Sequence, residues 1–126
     1  MTFLPERDRQ YLSDRGLNWG EVMDGAQKGI ILQNFCLPVG QFNVPTANIL
    51  IVLPSGYPDV PPDMFYLMPW LHLMPSGKAP VATKASLLFQ SQSWQRWSRH
   101  NNEWRSGQDG IWTMLKRVEH ALEVAV

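Results

Sequence analysis

The period of the hydrophobic positions changes along the chain and separates helix from strand. Gly29 to Leu37 (GIILQNFCL) and Thr46 to Leu53 (TANILIVL) are crowded with branched and aromatic residues over strand lengths, with a turn expected at Pro38-Val39-Gly40. Met64 to Leu73 is a third strand-like run. Pro69 inside it predicts an edge position or a strand end, because proline has no N–H to give a ladder. Near the C-terminus Ile111, Leu115, Val118 and Leu122 recur at helical spacing, with Asp109 expected as N-cap. At the other end Pro5 is expected to open a short helix, Glu6 and Asp8 suit its N-terminus, and Gly16 is the expected stop. Leu4, Tyr11 and Leu12 would share its apolar face. The order is helix, antiparallel β-meander, irregular middle, helix. This predicts an α+β fold with helices packed on one sheet, over residues 1–126 as a single domain.

One connection is longer than its neighbours require. LPSGYPDVPPDMFY, Leu53 to Tyr66, joins two adjacent strands, yet a hairpin needs only a few residues. Ser55-Gly56 supplies a turn. Pro58, Pro61 and Pro62 hold φ near −65° and push the residues before them towards extended backbone. A stiff flap is expected, with the Tyr57 ring laid against the body of the domain. Asp59 and Asp63 flank the prolines. They could hold a metal or do acid–base chemistry, but aspartate beside proline is also ordinary turn chemistry, which is the reading preferred here.

Composition narrows the function classes. The 126 residues carry 11 Lys plus Arg and 11 Asp plus Glu, a balance that argues against a partner as acidic as nucleic acid or an anionic membrane. No apolar run approaches the ~20 residues that span a bilayer, and the first residues do not form a signal peptide, so a cytoplasmic protein is expected. The one cysteine, Cys36, cannot form an internal disulfide, and no zinc-type cluster or cofactor motif is present in the sequence.

With these residues in place, a family resemblance becomes specific. A strand ending in Leu-Pro, then Gly-Tyr-Pro, then Pro-Pro and an aromatic strand resembles the ubiquitin-conjugating (UBC) fold. With WQRWSRHNNEWR (Trp94 to Arg105) and the tryptophan-then-helix stretch Glu103 to Leu122, the chain is most similar to prokaryotic ubiquitin-conjugating-like family E. The resemblance implies the UBC-like order of an N-terminal helix, meander sheet, proline-rich flap and C-terminal helix. It also implies a ubiquitin-like protein and a ThiF-like activating enzyme as partners.

Conjugation normally runs through a cysteine thiolate, a good nucleophile and then a good leaving group. In the family that cysteine follows the post-flap strand, shortly after a His-Pro-Asn motif. The corresponding window here, LHLMPSGKAPVATKASLLFQSQ (Leu71 to Gln92), contains neither, and His72 is followed by Leu73 and Met74. Cys36 sits in an earlier strand, where burial as an inert apolar residue is expected. The remaining cluster is SWQRWSRHNNEWRSGQDG. Arg96, Trp97, Arg99, His100 and Asn101 form its candidate binding surface, and His100 is the candidate for proton transfer or for holding a carboxylate. Trp94 and Trp104 are expected to pin the segment to the core. Stacking on single-stranded nucleic acid is disfavoured because no other basic stretch extends the patch. The methionines, Met64, Met68 and Met74 among them, read as core filler. Met74 and Trp70 would alternatively line a partner surface. Two readings follow. One is a binding module that has lost thioester chemistry, as RWD domains do on a similar fold. The other is a conjugating enzyme with an unusual nucleophile or base, His100 or Cys36.

Overall fold

A computed structural model describes residues 2–100 and 103–126. The elements are α1 (Glu6–Asp14), β1 (Asn18–Asp24), β2 (Gln27–Cys36), β3 (Thr46–Leu53), β4 (Phe65–Met68), β5 (Ser86–Phe89), β6 (Gln92–Trp97) and α2 (Ile111–Glu123). The strands form one six-stranded antiparallel sheet in the order β1-β2-β3-β4-β6-β5. The protein is therefore an α+β fold whose two helices lie on one face of a curled sheet.

Alternation along the strands builds that face. Ala47, Ile49, Ile51 and Leu53 of β3 join Ile30 and Leu32 of β2, Phe65 and Leu67 of β4, and Trp97 of β6 in one buried cluster. Leu12 of α1 and Ile111, Leu115, Val118 and Leu122 of α2 close it from the other side. Leu50 faces the opposite way and packs with Phe89 and Trp94 in a smaller cluster. Gly29 permits this second contact, since a Cβ there would stand 2.8 Å from Leu50 Cδ1 and 3.2 Å from Phe89 Cζ. Gln90 ties the tip of the β5–β6 hairpin to the end of β1, its N–H donating to Asp24 Oδ2 at 2.9 Å and its side chain to the Met23 carbonyl at 3.2 Å. The sheet curls so that its two hairpin tips meet.

Three local expectations are corrected and one is narrowed. β1 and the β5–β6 pair were not anticipated: the first is an edge strand of mixed polarity, the others lay in the stretch taken as irregular. Pro69 marks the end of β4, the strand-end alternative expected of it, while β4 itself lies inside the sheet between β3 and β6. The N-cap of α2 is Gly110, one residue after Asp109. Asp109 instead accepts the Arg105 N–H at 2.7 Å and the Thr113 hydroxyl at 3.1 Å. The Arg105 guanidinium, with that backbone N–H, holds the Asp109 carboxyl below the usual carboxylate range. Cys36 is exposed where burial was expected. A bulge between Leu32 and Phe35 adds a residue, so Phe35 turns inward and Cys36 outward.

The α2 N-terminus is crowded. A Cβ on Gly110 would approach the Trp112 ring to 2.6 Å and Asp8 Oδ1 to 2.7 Å. Gly110→Ala is therefore expected to destabilise by about 1–3 kcal/mol through overpacking. A thermal melt unchanged from the parent would refute the crowding argument.

Candidate functional site

The two stretches singled out in the sequence, 53–66 and 93–110, meet in space. Trp104 Nε1 donates to the Pro58 carbonyl at 2.8 Å, and Ser106 Oγ to Asp59 Oδ1 at 2.7 Å. His100 Nδ1 lies 2.8 Å from Asp63 Oδ1. Tyr57 leans on the main core and on the Trp104 ring, with centroids 6.3 Å apart, and its hydroxyl donates to Asp8 of α1. Burial raises the Tyr57 phenol, and raises the Asp8 carboxyl against the hydrogen bonds from Tyr57 and the Ile111 N–H. Pro62 is buried, while Pro58 and Pro61 are half-buried. Asp63 thus also contacts the His100 imidazole across the chain, both side chains being exposed.

Strand β6 distributes its residues between two faces. Trp97 is wholly buried, stacked on Phe65 at 5.7 Å with its Nε1 donating to Gln95 Oε1 at 3.1 Å. It is core and forms no part of a binding surface. Trp94 is buried in the smaller cluster on the other face. Arg96 is half-buried, with an Nε that has no hydrogen-bond partner among the described residues. Past the strand end, Arg99 lies over the Trp97 ring at 5.1 Å and donates to the carbonyls of Val81 and Ser98 at 3.2 and 3.3 Å. Asn101 lies outside the described residues.

Arg99 and His100 form one side of a depression of about 380 Å³, completed by Arg117, His120, Ala121 and Val124 of and just beyond α2. Burial lowers both guanidinium groups; for Arg117 the Asp63 charge works in the opposite direction. Arg117 Nε is buried and has no hydrogen-bond partner among the described residues. The sequence reading missed Arg117 and His120. Their three-residue spacing on the polar side of α2 puts them on one helix face, but nothing in the pattern told which strand end that face would meet.

The window after β4 is wired to the sheet. The Gln95 amide accepts the Leu71 N–H at 2.9 Å and donates to the Leu71 carbonyl at 3.1 Å. Asn43 Oδ1 accepts the His72 N–H at 2.8 Å, and Asn43 Nδ2 donates to the Trp70 carbonyl at 3.3 Å. His72 and Met74 are exposed, and Trp70 Nε1 donates to the Ser93 carbonyl at 3.1 Å. Cys36 is elsewhere. It lines a shallow recess with Phe35, Leu37, Glu119, Leu122 and Glu123. At 100° per residue, Glu119, Leu122 and Glu123 lie on the side of α2 opposite Arg117, His120 and Ala121. His100 and Cys36 are therefore not brought together. Among the described residues no group of three His, Cys, Asp or Glu side chains is placed to hold a metal ion, and no helix is long and apolar enough to cross a membrane.

An N-terminal helix, a curled antiparallel sheet and a C-terminal helix across its face define an E2-like α+β protein. The chain belongs to prokaryotic E2 family E, whose model matches residues 4–125. Membership associates it with ubiquitin-like modification pathways. Comparison with curated proteins and with solved structures returned no match.

Proposed function

We propose that this protein is a docking component of a prokaryotic ubiquitin-like pathway, binding the ThiF-like activating enzyme or the ubiquitin-like protein without forming a thioester. The observation that carries the reading is the window between β4 and β5. It contains no cysteine, and its first residues are clamped by Gln95 and Asn43. The single thiol sits across α2 from the His100 side. The proline-rich connection, with Tyr57, Pro58, Pro61 and Pro62, would serve as a rigid wall that seats Trp104 and Asp63 beside the docking surface. That surface is formed by Arg99 and His100, with Arg96 at its edge.

A second reading has its own support. Asp63 at Nδ1 makes Nε2 the other ring nitrogen of His100, the pairing of carboxylate and imidazole that a general base uses. The exposure of Cys36 likewise leaves that thiol open to test. Protein incubated with activating enzyme, ATP and ubiquitin-like protein from the same genomic neighbourhood decides between them, with wild type, Cys36→Ala and His100→Ala compared. No reductant-sensitive adduct is expected in any lane, while one of the two partners co-elutes with the wild type. A band lost only in Cys36→Ala would make this an enzyme with a displaced nucleophile. A conjugate lost only in His100→Ala, with circular dichroism unchanged, would establish the general-base reading. Absence of co-elution with every pathway component at tens of micromolar would end the docking proposal.

A further inference from the structure

The depression between the end of β6 and the C-terminal half of α2 gathers two arginines and two histidines. Arg99 enters from the strand end, fixed over Trp97 and held by the Val81 and Ser98 carbonyls, and Arg117 enters from the helix. Among the described residues Arg117 Nε has no hydrogen-bond partner, so the protein itself leaves part of this guanidinium's donor capacity unused. His120 and His100 stand at the rim, and Asp63, the acidic group paired there, is engaged by His100. Ala121 and Val124 supply an apolar floor, Val124 being 55% exposed.

The kind of anion is constrained by what surrounds these groups. The site lies on the last turns of α2 and just beyond, the negative end of the helix dipole, which opposes any anion and a multiply charged phosphate more than a singly charged carboxylate. Among the described residues that line it none belongs to a helix N-terminus that could cradle phosphate oxygens with backbone N–H groups. Two guanidinium groups suit the planar, singly charged carboxylate, and the floor beside them suits an apolar side chain next to it. About 380 Å³ accommodates the last two or three residues of an extended chain and little more. The geometry points to a site for the C-terminal carboxylate of a partner polypeptide, with Arg99 and Arg117 as its clamp and Ala121 and Val124 beneath its terminal side chain. This deepens the docking reading, on which it rests, by naming the part of the partner that is held.

Fluorescein-labelled pentapeptides Gly-Ser-Gly-Ser-Xaa, with every natural residue in turn at Xaa, test it as paired free acids and C-terminal amides. Anisotropy gives the affinity, and amide chemical shifts of Ala121 and Val124 give the place. The free acids with apolar Xaa are expected to bind, the amides to bind at least about tenfold more weakly, and Arg117→Gln and Arg99→Gln each to lose about tenfold or more with unchanged circular dichroism. Inorganic phosphate should not compete at concentrations matching the peptide. Equal binding of acids and amides, full binding by Arg117→Gln, shifts confined to other residues, or no binding of any acid up to about 1 mM would overturn the assignment. Phosphate binding tighter than the acids would overturn it in favour of an inorganic-anion site. Loss of this binding alongside retained co-elution of a pathway partner would leave the docking role standing, so the two failures are distinguishable.

Discussion

Gln95→Leu is expected to destabilise the protein by about 3 kcal/mol or more, although leucine is close in size and more apolar. The side chain is wholly buried and satisfies three groups at once: the Leu71 N–H, the Leu71 carbonyl and the Trp97 indole N–H. Replacement leaves each of them without a partner, and a stranded buried polar group costs about 1–3 kcal/mol. Leucine's extra burial gain offsets part of this, on the order of one such group. The loss should also be local. Amide exchange at Leu71 and its neighbours is expected to accelerate more than exchange in β2 and β3, because Gln95 is what joins the post-β4 window to the sheet. Urea denaturation within 1 kcal/mol of the parent, or uniform acceleration across the sheet, would show that the window is held by something else.

Tyr57→Ala should be comparably severe. It removes a ring packed on the main core and on Trp104, for which about 3–5 kcal/mol is the usual cost when burial is complete and somewhat less for this half-buried ring. Tyr57→Phe separates the hydroxyl from the ring and should cost about 1–2 kcal/mol near neutral pH. Its pH dependence carries the sharper prediction. Burial lifts the folded-state Asp8 carboxyl above its unfolded value, so Asp8 makes the fold less stable as pH rises through its folded pKa and relieves it as pH falls. The Tyr57 hydroxyl opposes that lift by donating to the carboxylate. Without it the folded value rises further. The deficit of Tyr57→Phe should therefore be largest above that value and shrink as the carboxyl protonates. Glu21 runs the other way: the N–H groups of Phe3 and Leu4, with Arg9, outweigh burial and lower it, so its contribution is lost on acidification. Comparing variant with parent at each pH cancels that term. A deficit that grows in acid would refute the Asp8–Tyr57 coupling.

What the sequence determined by itself is the scaffold carried by burial period. GIILQNFCL, TANILIVL and the Ile111–Leu122 spacing each announce a buried face, because hydrophobic positions recur at the period of the element that buries them. The proline-rich connection and the tryptophan–arginine cluster were equally legible as features, and with them the family. Tertiary structure decided the rest, wherever the outcome depended on a partner distant in the chain. A bulge shifted the alternation of β2 and put Cys36 outside. Pairing of β6 against β4 sent Trp97, a candidate for the binding surface, into the core and Gln95 onto Leu71. Asp63 read as a turn residue until the fold laid His100 against it, and Arg117 with His120 went unnoticed in the sequence because only the end of β6 makes them one side of a depression. Each of these contacts spans tens of residues, and local propensity contains no term for which surface a given face will meet.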